Sequence, residues 1–397
     1  MSYSKSSSYL WTSESVSPGH PDKIADQISD TVLDAYLAVD QHAKVACETM
    51  VKDSTVIIAG EISSSVPVPQ EDIEALVRSC IVRIGYDHDD LKYNGANCEI
   101  QFRLSEQSRE INTAVLGGGG HDAESIAAGD QGIMFGYATR ETPTAMPLAL
   151  YLAKEIVTEA YENTRKEYAL RPDMKSQVSL KYEDGIPVAV DNIVLSACHA
   201  PSLSLNDVRE LVTGVVLPRV IERQPDHIRS LFTPQTKHFV NPAGSWNIGG
   251  PVADCGLTGR KIVVDQYGAD CEVGGGAFSG KDPSKVDRSA AYMARYIALR
   301  ALEKTDADVI KVQLAYVIGV EYPSSIRIWN PRTAEEYPLS LLGLKAENCA
   351  VSSIVDLLKL RKPIYAHTAR YGHFGLAPFT ANNNDYYTWE NRSTKEN

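Results

Sequence analysis

The chain has 397 residues, 43% of them apolar and 23% charged. That balance excludes disorder for its bulk, and the length suggests two or three domains at roughly 150 residues each. Asp and Glu outnumber Lys and Arg by 51 to 39, a formal net charge of −12, which opposes nucleic acids and anionic membranes as partners.

No run approaches the roughly 18 uncharged apolar residues that span a bilayer. Residues 1–8 are polar and Ser-rich, without the apolar segment of a secretory leader, and read as a flexible tail. The seven cysteines form no Cys-x-x-Cys pair, which fits a reducing cytoplasm. Ile24, Ile28, Val32 and Tyr36, with Leu33 and Leu37 beside them, recur at helical spacing and predict a helix over 21–40. Strands over 45–50 and 55–62, a helix over 71–84 and a strand over 98–104 follow. Four glycines, 117–120, sit among small and polar residues; such a run forms neither helix nor strand cheaply, so 108–128 is expected to be a mobile loop.

A helical pattern covers 143–168. Strands over 177–182 and 187–198 meet across Asp184-Gly185, a hairpin signal. Then come a helix over 205–222, a strand over 261–265, a helix over 283–302, strands over 308–318 and 324–329, and a helix over 351–360. From Asn382 the chain reads as a loosely held tail. Each third mixes strands with one or two helices, so the fold class is α+β, antiparallel or mixed sheets covered by helices. Gln177-Val-Ser-Leu and Gln313-Leu-Ala-Tyr occupy comparable places, which alone does not establish a repeat. The expected segments are 9–107, 129–246 and 247–381, with tails at 1–8 and 382–397.

The densest chemistry lies in GGPVADCGLTGRK (249–261) and GGGAFSGKDPSKVDRSAAY (274–292). Glycines there allow close backbone approach to a ligand, and Arg260, Lys261, Lys281, Lys285 and Arg288 gather cations in an acidic chain. Gly275 to Lys281 matches half of a phosphate loop, but Asp282 and Pro283 replace the hydroxyl that would hold magnesium. Asp282 reads instead as a helix N-cap, with Pro283 at the first position. Lys281 and Lys285 then stand at the positive pole of a helix, an unfavourable placement that a bound polyanion would offset; two solvated lysines are the plainer alternative.

His20-Pro21-Asp22-Lys23 is a second helix start of this kind. Its histidine suits a cap and its Asp a dipole partner, but two distant carboxylates, Asp22 and Asp287, together with phosphate oxygens would also suit magnesium. Asp173 and Lys175 precede a strand and could lie in a surface turn. Glu48 and Glu61 could be solvent charges at strand ends. Trp246, in a Gly-flanked loop, is either a stacking platform or an apolar plug.

These residues resemble S-adenosylmethionine synthetases from about Leu10 to Phe379, through SPGHPDKIADQISD (17–30), GDQGIMFGYA (129–138), RPDMKSQV (171–178), the two Gly-rich stretches and YGHFG (371–375). The resemblance implies three similar domains about a pseudo-threefold axis, and a homodimer with shared active sites, often paired into a tetramer. It implies adenosyl transfer from ATP to L-methionine, with the triphosphate cleaved before release.

Position by position, it makes His20, Lys175, Lys261 and Lys281 triphosphate ligands, with Arg260 beside them. Asp22 and Asp287 would hold two Mg²⁺ ions and Glu48 a K⁺. Asp173 and Asp254 would hold the nucleoside, with Ala277 along it, and Glu61, Gln107, Asp254 and Lys285 would surround methionine. Ser245-Trp246 replaces the family's usual Arg-Phe, and Pro18 its usual Glu. Two other readings stay open: a polyphosphatase using the same cations, and a silent nucleotide-binding subunit. The charged ends offered by Glu61 and Lys285 argue against the first, and the intact Lys and Asp set against the second.

Overall fold

The computed structural model describes residues 7–106 and 127–392; almost all of the loop expected over 108–128 lies outside them. The elements that place the site are β1 Ser8–Val16, α1 Pro21–Val39, β2 Lys44–Lys52, β3 Thr55–Ser63, α2 Gln70–Ile84 and β4 Glu99–Glu106, then β5 Gly132–Thr139, α3 Leu148–Thr158, β6 Leu170–Glu183, β7 Ile186–His199 and β8 Lys237–Val240. The last third supplies β9 Gly256–Leu257, α4 Val286–Lys304, β10 Val309–Tyr316 and β11 Ser325–Trp329. The fold is α+β, as expected.

Three hairpins build three sheets: β2–β3 and β6–β7 are each the centre of four strands, and β10–β11 supplies two strands of three. Each is completed by a strand from another third of the chain. β1 pairs antiparallel with β6, β5 with β10, and β9 with β2. The exchange is cyclic: the first third lends a strand to the second, the second to the third, and the third back to the first. β4 and β8 add parallel edges to β3 and β7. α1, α3 and α4 lie between each lent strand and the next hairpin, and pack on β2, on β1 and β6, and on β5 and β10 respectively. Gln177 and Gln313 fall in the corresponding strands β6 and β10, so their similar places reflect a repeated unit.

Mixing the thirds buries the helices on nearly all faces. On α4 even Arg288 and Arg295 are inside, and on α1 Lys23, Asp26 and Asp30. Buried charges persist only when paired. Arg288 forks onto Asp30, with Nη1 at 2.8 Å from Oδ1 and Nη2 at 2.5 Å from Oδ2. Arg295 forks onto Glu390 at 2.9 Å through both Nε and Nη2, and also donates to the carbonyls of Tyr137, Thr144 and Ala145.

That last cluster overturns the expectation of a loose tail for residues 382–392. β13 (Asn384–Tyr386) pairs with β12 (Phe379–Ala381), and Trp389 is 0% exposed, stacked on Tyr292 at 3.8 Å. Apolar residues inside a charged terminal stretch were enough to seat it. Arg295→Met should cost about 3–5 kcal/mol, because it leaves the Glu390 carboxylate buried without its partner. A urea midpoint unchanged from the parent would show that the pair is solvated.

Four other expectations change. The segment 261–265 is a short helix, Ile262–Asp265, not a strand, and residues 143–147 precede α3 rather than belong to it. β1 starts at Ser8, and the Ser7 N–H donates to Asp184, so the end of the expected N-terminal tail is ordered by a sheet edge. The helix expected from 283 begins at Val286 with Lys285 as its cap. The carboxylate of Asp282 is used by the Val45 N–H and by both the N–H and Oγ of Ser284, which closes a separate turn before the helix. Among the described residues no helix is long and apolar enough to cross a membrane.

Candidate active site

The start of α1 holds the first group of candidate residues. His20 caps the helix, its Nδ1 accepting the Asp22 N–H at 3.2 Å. Burial first, and then Lys261 nearby, pushes the imidazole down to about 3. The ring is therefore neutral near pH 7 and carries its proton on Nε2, and its 3.9 Å approach to Asp22 is not an ion pair. Asp22 takes the Leu257 N–H on Oδ1 (3.0 Å) and Lys261 Nζ on Oδ2 (2.5 Å). Lys175, on β6, pairs with Glu14 of β1 at 2.9 Å. Sequence reasoning missed Glu14; nothing in its neighbourhood distinguishes it until β1 is seen to cross into the second sheet.

Asp173, also on β6, is buried. Its Oδ2 accepts the Gly250 N–H at 2.7 Å, while its Oδ1 has no partner among the described residues. Burial pushes its carboxyl up to about 7. A buried carboxyl with one free oxygen suits a ligand hydroxyl. The loop carrying Gly250 also carries Trp246, whose backbone N–H donates to His199 Nε2 (3.2 Å) and whose carbonyl accepts the His199 N–H (2.9 Å). Its indole N–H is taken by the Ile248 carbonyl at 2.7 Å. Trp246 is thus fixed by its backbone and half-buried, while Ser245, Asp254 and Arg260 are exposed. Among the described residues the Arg260 guanidinium donates only to the Cys255 carbonyl.

A second group forms on the face of β2 and β3. In this antiparallel pair Ala46 stands opposite Glu61 and Glu48 opposite Ala59, so both glutamates point to one side. They line a cavity of about 330 Å³ with Gly60, Thr258, Ala277, Ser279 and Lys281. Lys281 bridges to Ala46 through the backbone and pairs with Asp287, in the first turn of α4, at 2.5 Å. Lys285 pairs with Asp282. Gly280 (φ +78°) passes so close to the Cys47 carbonyl that a Cβ there would lie 1.8 Å from its oxygen.

The two groups abut where Gly259 (φ +78°) meets Ala277, a contact at which a Cβ would come within 2.5 Å of the alanine Cβ. Among the described residues no hydrogen bond or ion pair joins a member of one to a member of the other. Gln107 lies outside the described residues. The lysines at the α4 pole are answered by Asp282 and Asp287, so the dipole conflict read from the sequence is settled within the protein and no polyanion is needed to explain it. The phosphate-loop reading of 275–281 also lacks its context, since no strand enters this turn.

The arrangement has one recurring pattern. Each candidate lysine stands against a carboxylate: Lys175 on Glu14, Lys261 on Asp22, Lys281 on Asp287 and Lys285 on Asp282. Among the described residues no cluster of three or more His, Cys, Asp or Glu could cage a metal alone. The donor set therefore fits Mg²⁺ only as an ion taking one or two carboxylates plus substrate phosphate oxygens, its usual habit. Three family models match the chain in succession: S-adenosylmethionine synthetase, N-terminal domain, over residues 8–109; the central domain, over 125–246; and the C-terminal domain, over 248–390.

Proposed function

The chain belongs to the S-adenosylmethionine synthetase family, whose members make S-adenosylmethionine from ATP and methionine, and from this premise we propose how its residues divide the work. The observation that carries the proposal is the pairing of Lys261 with Asp22 and of Lys281 with Asp287, each at 2.5 Å. On binding substrate, each lysine would exchange its carboxylate for a phosphate oxygen, freeing Asp22 and Asp287 to hold Mg²⁺, an exchange of equal charge.

The methionine sulfur is a competent neutral nucleophile, so attack at C5′ of the ribose needs no base. The obstacle is the triphosphate leaving group, whose charge grows in the transition state. Lys175, Lys261 and Lys281 act there as preorganised cations, and the neutral His20 donates through Nε2. Arg260, exposed beside Lys261, adds charge without a fixed geometry. Asp22 and Asp287 would hold Mg²⁺, which neutralises phosphate charge when bound; Glu48, on the cavity wall, would hold K⁺. Asp173 and Asp254 take the nucleoside hydroxyls, with Ala277 and Ser245-Trp246 beside it. Glu61 and Lys285 face the charged ends of methionine, with Asp254 and Gln107 completing that pocket.

The first group holds most of the nucleoside and phosphate ligands, with Asp254 shared between nucleoside and methionine; the second holds Glu61 and Lys285 for the amino acid, Ala277 beside the nucleoside, and the remaining lysine. We infer that a homodimer joins the first group of one chain to the second group of its partner, and that such dimers pair into tetramers. The net charge of −12 opposes nucleic acids and anionic membranes as partners, and the proposed setting is the cytoplasm.

Incubation with ATP, Mg²⁺, K⁺ and methionine, read by mass spectrometry, should yield a sulfonium product. Triphosphate hydrolysis without it would favour a polyphosphatase, and nucleotide binding without turnover a silent subunit. Asp287→Asn should raise the Mg²⁺ needed for half-maximal rate; an unaltered metal titration would leave Asp287 only as the partner of Lys281.

A further inference from the structure

The proposed chemistry uses His20 and Asp22 of SPGHPDKIADQISD but not its Lys23 or Asp26, and nothing of YGHFG. The structure joins these unused residues. Lys23 is 0% exposed, with Nζ at 3.0 Å from Asp26 Oδ2 and 2.6 Å from Asp265 Oδ1. Burying one ammonium with two carboxylates carries a desolvation penalty that a packed apolar group would avoid, so its retention calls for a geometric reason.

Asp26 Oδ1 accepts the Gly259 N–H at 2.9 Å. The Asp265 N–H donates to the Lys261 carbonyl at 2.8 Å, and the Asp265 carbonyl accepts the His373 N–H at 2.9 Å. Gly372 (φ +92°) runs so close behind this turn that a Cβ would lie 2.6 Å from the Val264 carbonyl oxygen. The Lys261 backbone is therefore held on both sides: by Asp26 through Gly259 before it, and by Lys23 through Asp265 after it. Both anchors start from the same two turns of α1 that carry His20 and Asp22.

We propose that Lys23 is a positioning residue, which by bridging Asp26 to Asp265 fixes the Lys261 ammonium relative to His20 and Asp22. This rests on Lys261 being a triphosphate ligand. Wholly buried, Lys23 touches no substrate and acts only through this spacing. A displacement of about 1 Å in such a group can cost on the order of 10²-fold in rate.

The test measures kcat and KM for ATP and methionine in the full-length chain. Lys23→Met should lower kcat about 10²-fold with both KM values nearly unchanged. The double variant Lys23→Met, Lys261→Met should be no slower than Lys261→Met alone, since both changes act through one ammonium. Additive losses would overturn the proposal. A fast Lys261→Met would instead remove the reading on which it rests, while a slow Lys261→Met beside a fast Lys23→Met would overturn the positioning role alone. Because Lys23→Met leaves two buried carboxylates unneutralised and can unfold the chain, Asp265→Asn and Asp265→Ala are measured with it. Asn keeps an oxygen for Lys23 and should retain kcat, whereas Ala should lose it; equal kcat for the two would count against the bridge.

Discussion

Lys281→Met lowers kcat by about 10²–10³-fold, the scale of losing one preorganised donor at a developing oxyanion. Lys281 is placed for this by three local features. The close passage of Gly280 against β2 sets the turn, the backbone bridge to Ala46 fixes its direction, and Asp287 pairs with its ammonium while Lys281 lines the cavity. Since thioether attack needs no base, stabilisation of the departing triphosphate is where a cation acts, so the loss should fall on kcat and leave KM for methionine largely unchanged. Initial rates at saturating substrates decide it. A turnover number close to that of the parent would remove Lys281 from the catalytic set and leave it as the helix-pole partner of Asp287.

The second large effect is a gain. Lys261→Met and Lys281→Met each disable a different group. If the sites are shared across a two-fold dimer, mixing the two inactive chains, with unfolding and refolding to exchange subunits, restores activity. A heterodimer then has one site with both groups intact and one with both damaged. For a random equal mixture this returns about a quarter of the parent activity, from the symmetry of the isologous interface. Activity staying at the level of the separate variants, with subunit exchange verified by mass, would place each complete site within one chain.

Part of this was legible in the residues themselves. The periodicity of Ile24, Ile28 and Val32 predicts α1, and Asp184-Gly185 predicts the β6–β7 hairpin, because both signals are local: a helical face and a two-residue turn are set by neighbours along the chain. The motifs also carried the resemblance to S-adenosylmethionine synthetases, which the three family matches bear out. Local rules failed where a residue's partner was distant. Asp282 reads as a helix cap, yet its carboxylate is claimed by Val45. The stretch around Trp389 reads as a tail, yet Tyr292 and Arg295 hold it.

The sequence by itself determined the strands of the three hairpins, the main helices and the α+β class, which follow from spacing within one or two turns; it did not reveal the lent strands β1, β5 and β9. Only the tertiary structure decided that each third of the chain lends its first strand to a neighbour. It alone decided that the candidate residues gather into two groups rather than one, and that Lys23 ties α1 to the turn bearing Lys261. Strand pairing and buried ion pairs depend on which surfaces meet after the chain has closed over hundreds of residues, and no local pattern encodes that choice.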